Sequence, residues 1–357
     1  MEKVGVCLIG CGGISRSHIR AYSEIKEVSL LAVVDIDESC ALAAKEESDA
    51  RFSFTDYARA LEMDEVDMVD ICLPTHLHAE AAIAVAKSGK HILTEKPIAL
   101  TLEDADKMSR AASDAGVKFT VGFGLRFSTR MMKFAQLVRE GALGRPVILR
   151  SVNSRAAPSR PWYMDAKKGG GPVIDKAVHT YDICRYLFGS SEALAEPTSV
   201  QASTFRFQES HSAVDTTNAI VNFDSGDSLA MLLSWGLPRG AKGTSMQDAI
   251  GPRGHLAFGA PPEITKDVDT KKYGFITLSR EKEPICYKFE NNSHMKDQLQ
   301  SFIKAIIEDK EPEVTAYDGR RALEMGLAIL ESGRTGRVVE LTPKKAKKSR
   351  KHGKPNH

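Results

Sequence analysis

Residues Val4 to Ser15 read Val-Gly-Val-Cys-Leu-Ile-Gly-Cys-Gly-Gly-Ile-Ser: an apolar run, then three glycines among four residues, then the start of a helical pattern. The run Val4 to Ile9 suits a strand buried on both faces. Gly10, Gly12 and Gly13 permit a sharp turn and keep side chains out of the space between backbone and ligand. The helix that follows aims its unpaired N–H groups and the positive end of its dipole at the turn, which suits a pyrophosphate. The spacing is the dinucleotide fingerprint Gly-x-Gly-x-x-Gly, with Ser15 in third place where Gly or Ala is usual. Ser is small enough to keep helix and strand close.

A glycine turn alone is weak evidence, and the second half of the unit strengthens it. Ser29 to Val34 reads as another apolar strand and ends in Asp35, about 20 residues past the loop, where an acidic residue binds the adenosine ribose hydroxyls. The alternative is a surface Asp closing a strand. Asp35 and Asp37 would both repel a ribose phosphate, and no Lys or Arg follows before Lys45. NAD is therefore favoured over NADP.

Beyond Asp35, the spacing predicts helices at Glu38 to Glu47, Leu77 to Ser88 and Leu102 to Ala115 and strands at Ala50 to Phe54, Val66 to Leu73, His91 to Thr94 and Lys118 to Val121. Strands alternating with helices argue for a doubly wound parallel sheet over residues 1–122. Ligands of such sheets sit beyond the carboxyl ends of the strands. Pro74-Thr75-His76-Leu77-His78 and Glu95-Lys96-Pro97 fall at two such ends. Residues 123–342 read differently. A helix from about Val173 to Leu187 follows Gly169-Gly170-Gly171, and successive strands without helices between them run from Val200 to Phe289, as in an antiparallel sheet. Two helices and a last strand close this second domain.

The bulk composition is that of a globular protein, 42% hydrophobic and 27% charged. No apolar run approaches the length of a membrane span, and the early first strand leaves no room for a signal peptide. Six scattered cysteines show no metal-type spacing and read as reduced thiols in a cytoplasm. The formal charge of +2 hides a contrast. Lys344 to His357 holds seven Lys and Arg residues and no acid, leaving 42 basic against 47 acidic residues in the body. The tail reads as a solvated, disordered end, and no basic stripe in the body supports a nucleic-acid partner.

Two places carry candidate chemistry. Lys96 precedes Pro97 at a strand end, and a lysine near the glycine turn can act as a general acid or base if its surroundings tune it; a solvated surface lysine is the plain alternative. Asp175, His179 and Asp182 are spaced four and three apart, which predicts one face of one helix. An Asp–His pair there can transfer protons or grip hydroxyls, or it is an intrahelical pair on a wet face. A metal site lacks an obvious third ligand, so none is expected.

Taken together, the Gly-Cys-Gly-Gly turn, Asp35, Pro74-Thr75-His76-Leu77-His78, Glu95-Lys96-Pro97 and Gly169-Gly170-Gly171…Asp175…His179…Asp182 resemble the glucose–fructose oxidoreductase/inositol dehydrogenase (Gfo/Idh/MocA) family over Met1 to about Thr342. The resemblance implies a Rossmann domain followed by an α+β domain with a large open, mainly antiparallel sheet. It implies an NAD-dependent dehydrogenase oxidising a secondary alcohol of a sugar, inositol or other polyol, assembled as a homo-dimer or homo-tetramer through the sheet. By position, Lys96, Asp175 and His179 would be catalytic, and Gly10, Gly12, Gly13, Ile14, Ser15, Asp35, Thr75, His78, Glu95 and Lys96 would line the cofactor. Arg126, Phe127, Arg160 and Trp162 would join Asp175 and His179 around the substrate. Lys176-Ala177 and Gly124 depart from the family's usual residues and bear on pocket shape. Arg155, Arg160, Lys167, Lys168 and Lys176 hint at an anionic substrate, unless they form a solvated loop. An NAD-using glycoside hydrolase and a non-catalytic NAD-sensing regulator are the competing functions on this fold.

Overall fold

The computed structural model describes residues 3–281 and 283–342; the basic tail lies outside the described residues. The first half alternates β1 (Val4–Ile9), α1 (Ser15–Ser23), β2 (Val28–Val34), α2 (Glu38–Ser48), β3 (Phe52–Phe54), α3 (Tyr57–Leu61), β4 (Met68–Ile71), α4 (His78–Lys87), β5 (His91–Thr94), α5 (Leu102–Asp114) and β6 (Phe119–Val121). All six residues of β1 are buried, as the apolar run requires. The six strands pair in parallel in the order β3-β2-β1-β4-β5-β6. Chain order reverses between β1 and β4, and a crevice opens there above the strand ends.

The second half contains α6 (Thr129–Arg139), β7 (Ile148–Ser154), α7 (Gly171–Asp175), α8 (Val178–Phe188), β8 (Pro197–Phe205), β9 (Thr216–Phe223), β10 (Ser228–Ser234), β11 (Thr244–Gly251), β12 (Gly254–Phe258), α9 (Pro262–Thr265), β13 (Tyr273–Ser279), β14 (Ile285–Glu290), α10 (His294–Ile307), α11 (Ala316–Thr335) and β15 (Val339–Glu340). Its nine strands form one sheet, antiparallel except where β7 pairs with β10. Helices cover one face. Among the described residues no helix covers the other, which exposes Ile220, Leu232 and Met246.

The single helix expected over Val173 to Leu187 is two. The amides of Lys176 and Ala177 both turn back to the Pro172 carbonyl, at 3.0 and 2.9 Å, which ends α7 before α8 begins. The chain then returns to its start. Leu299, Phe302 and Ile303 of α10 are buried in one apolar cluster with Val4, Val6, Leu8 and Ile19, and Thr120 Oγ1 donates to the Val314 carbonyl at 2.8 Å.

Candidate functional site

The glycine turn sits at the crevice. Gly10 has φ +94°, and a Cβ there would lie 2.7 Å from the Cys72 carbonyl oxygen, so only glycine fits. Ser15 Oγ donates back to the Gly12 carbonyl at 2.7 Å and is buried, which ties the helix start to the turn. Asp35 braces the turn from the end of β2: one carboxylate oxygen accepts the Cys11 amide at 2.8 Å and the other the Asp37 amide at 2.9 Å. A cavity of about 490 Å³ runs from Gly10 and Gly12 past Asp35, Asp56 and Tyr57. Its volume and its largely apolar walls suit an adenosine, and its carboxylates disfavour a phosphorylated ribose. The residues therefore fit a dinucleotide.

A second cavity, about 350 Å³, adjoins it and is lined by Gly12, Gly13, Ile14, Thr75, Glu95, Lys96, Trp162, Tyr163 and Asp175, among others. Lys96 Nζ is 3.2 Å from Asp175 Oδ1 and 3.3 Å from the Asp175 carbonyl oxygen. The strand-end lysine and the segment after the three glycines thus meet across the crevice. Burial works against the Lys96 charge, but the Asp175 and Glu95 carboxylates outweigh it and raise the pKa above the ordinary lysine value. Lys96 is an ammonium at neutral pH. His179 shows the opposite: burial first, then the positive charges of Lys96 and Lys176, push its pKa down to about 3, so its ring is neutral. Its Nδ1 is buried without a hydrogen-bond partner, and Phe123 packs against the ring at 6.3 Å between centroids.

Several expected ligand contacts lie elsewhere. Arg126 does not face the crevice. Its guanidinium is buried against Asp182, with Nε 2.8 Å from Oδ2, and lies 3.3 Å from Asp318. Burial opposes that charge and the two carboxylates outweigh it, raising its pKa. Asp182 is thereby a structural partner and does not share a catalytic face with Asp175. Phe127 packs against the main apolar cluster. His78 is buried, with ring nitrogens 2.9 and 2.8 Å from the Pro97 and Leu73 carbonyls; it holds the crevice walls together and its ring is not turned to the cavity. Arg160 lies over the glycine turn: a Cβ on Gly12 would come within 3.0 Å of its Nη1. It lines both cavities. Trp162 does line the crevice and stacks on Tyr163, 3.9 Å between centroids.

A layer of charge that no sequence motif marks lies beneath the cavity. His18, fully buried on α1, lies 2.7 Å from Asp70 Oδ2 and 3.2 Å from Glu95 Oε1. Tyr22 donates to the same Asp70 oxygen at 2.8 Å, and Cys72 Sγ is 3.6 Å from Asp70 Oδ1. Burial lowers the His18 pKa, but Asp70 more than offsets it, and the ring is held protonated. Burial raises Glu95, yet His18 and Lys96 bring it down to about 2. His18, Asp70 and Cys72 are close enough to consider as metal ligands. Burial, however, raises the Cys72 thiol to about 12, and both ring nitrogens of His18 already face carboxylates. The legible clue was Asp70 itself, a carboxylate inside the apolar strand β4.

Residues 4–123 match the Gfo/Idh/MocA oxidoreductase family, NAD-binding Rossmann fold, and residues 131–256 match the Gfo/Idh/MocA C-terminal domain. The chain belongs to this family. It is an oxidoreductase whose first domain binds NAD. It is 29% identical to myo-inositol 2-dehydrogenase of Thermotoga maritima, covering 95% of this chain and 98% of that one. It is 28% identical to scyllo-inositol 2-dehydrogenase (NAD(+)) of Bacillus subtilis, covering 97% and 98%. The crystal structure of a probable dehydrogenase from Thermotoga maritima superposes with a TM-score of 0.77 at 26% identity, covering 94% and 98%. Among the described residues no helix is long and apolar enough to cross a membrane.

Proposed function

We propose that this oxidoreductase oxidises a secondary alcohol of a sugar, inositol or related polyol, with Lys96, Asp175 and His179 handling the proton. The supporting observation is the Lys96–Asp175 contact in the same cavity as the glycine turn. Gly10, Gly12, Gly13 and Asp35 would hold NAD, which would supply the acceptor for the hydride of the carbinol carbon. The chain's own part is the oxygen and its proton. The Lys96 ammonium is fixed by Asp175 and presents N–H donors to an alcohol oxygen on which negative charge develops. His179 is neutral and carries a free buried nitrogen, and although burial, Lys96 and Lys176 hold its basicity low, it can take the proton as alkoxide charge develops beside it. Trp162 and Tyr163 form an aromatic wall that excludes water and suits the C–H face of a sugar ring.

Arg160, by its place over Gly12, is read as a pyrophosphate contact reaching over from the second domain. The face of the nine-stranded sheet left uncovered among the described residues, with Ile220, Leu232 and Met246 exposed, supports a homo-dimer or homo-tetramer built through that face. Six free cysteines suit a reducing cytoplasm.

The test is NADH absorbance with the purified chain, NAD and a panel of inositols, hexoses and their acids. Turnover that falls about 100-fold or more in Lys96→Ala with NAD affinity retained is the expected result. Lys96→Ala turning over at the wild-type rate removes Lys96 from the reaction, and free glycoside cleavage without net NADH would identify a hydrolase.

A further inference from the structure

A sheet face covered by helices is ordinarily apolar along its length. The covered face of β7 and β11 obeys this at Leu149 and Ala249, both fully buried, and then departs from it. Ser151 pairs across the strands with Gln247, and Asn153 pairs with Ser245. These four polar residues, with Lys176, His179 and Thr180 from the helical side, line a cavity of about 120 Å³. Two of its polar atoms, Asn153 Oδ1 and His179 Nδ1, are buried and have no hydrogen-bond partner. Buried polar atoms left in this way are costly, and as acceptors they point to a ligand that brings hydroxyl donors.

The charge around this cavity is unbalanced. Lys96 is paired with Asp175, and Glu95 with His18. Lys176 has no carboxylate within salt-bridge distance among the described residues, and the positive charges of Lys96 and Arg155 act on it more strongly than the Asp175 carboxylate does. Burial, followed by those two cations, lowers its pKa, so a negative partner would relieve an existing strain of charge. The positive charge of Lys176 also contributes to the depressed basicity of His179. An anion beside Lys176 would therefore make His179 a better proton acceptor.

We propose that Lys176, with the Gln247 amide, binds a carboxylate on the substrate while Asn153 Oδ1 and His179 Nδ1 accept from its hydroxyls, so that the preferred substrates are sugar acids rather than neutral sugars or polyols. The inference rests on the redox reading of the neighbouring cavity for its placement. Lys176 is the one charged side chain among the described residues lining this cavity, and one ammonium amid neutral amides and hydroxyls matches a monoanion better than a phosphate dianion.

The experiment measures binding first, on the full chain loaded with NADH so that no alcohol is consumed. Titration calorimetry compares glucuronate, galacturonate and gluconate with glucose, galactose and glucitol. The acids are expected to bind about 10- to 100-fold more tightly, the range of one charge-assisted hydrogen bond. Lys176→Gln should bring that ratio close to one, and Lys176→Arg should restore most of it. Equal binding of acids and neutral partners overturns the proposal, as does a ratio unchanged in Lys176→Gln. Tighter binding of glucose 6-phosphate than of any acid overturns the monoanion assignment. The same panel with NAD then separates the two readings: acid-selective binding without NADH formation sinks the redox function and leaves the carboxylate site standing.

Discussion

Lys96 Nζ is held by Asp175 from two sides, by the carboxylate at 3.2 Å and by the main-chain carbonyl at 3.3 Å. The carboxylate sustains the charge, and the carbonyl fixes the direction. Asp175→Asn keeps the shape and removes the charge. The Lys96 pKa then falls, so its ammonium is lost at lower pH than in the wild type. The alkaline limb of the kcat/KM profile should move toward neutrality, read from initial rates of NADH formation between pH 6 and 10. An unmoved limb would mean that another group titrates there.

The buried His18–Glu95 contact, 3.2 Å, predicts a pH window of stability. Glu95 has a folded pKa of about 2 against an ordinary value of 4.5. Its contribution is complete above 4.5 and is lost as pH falls toward 2. His18 is shifted upward, so its contribution is complete below its ordinary 6.5 and is lost as pH rises through the folded value. The cluster is at full strength between those limits. Urea denaturation should place the stability maximum there, and Glu95→Gln should flatten the acid side by about 3 kcal/mol.

Arg160 over Gly12 ties the second domain to the cofactor site. Arg160→Ala should weaken NAD binding about 10-fold or more, the cost of a charged hydrogen bond, as measured by calorimetry without substrate. The effect should shrink at high salt. Unchanged NAD affinity together with a raised substrate KM would return Arg160 to the substrate.

Arg126 is buried between Asp182 and Asp318, and Arg185 Nη1 reaches the same Asp318 at 2.7 Å. Removing one cation leaves carboxylates uncompensated in the interior. Arg126→Met should cost about 3–5 kcal/mol in chemical denaturation. A loss under 1 kcal/mol would show that water already reaches these carboxylates.

The bare sheet face gives the last test. Leu232→Lys, on an exposed position of β10, should shift the mass seen by light scattering toward a single chain while leaving the thermal unfolding of that chain near the wild type. A single chain already present in the wild type would remove the sheet face as an interface.

Much of this was legible because local pattern and global fold agree in the first half. β5 falls at His91–Thr94, as its apolar run indicates, and Asp56 caps α3 by accepting the Ala58 amide. The break after Asp175 was not legible, since Val-Ile-Asp-Lys-Ala-Val-His continues a helical period without Gly or Pro. It arises because two amides compete for the Pro172 carbonyl, a geometry imposed by the turn before it. Nor could sequence place Arg126, because one of its partners, Asp318, lies far along the chain on α11 and only folding brings it near. His18 was hidden for the same reason: a lone histidine on a helix says nothing until Asp70 and Glu95 arrive beneath it.

The late return of α10 has a consequence for synthesis. Leu299, Phe302 and Ile303 complete a cluster begun by Val4, Val6 and Leu8, and about 180 residues separate β6 from these side chains. At ordinary translation speeds the nascent nucleotide-binding half waits roughly 10 to 40 s for its missing wall. Residues 1–122 made alone would keep that apolar face uncovered, so a soluble NAD-binding fragment should require α10 to be supplied with it, grafted or in trans.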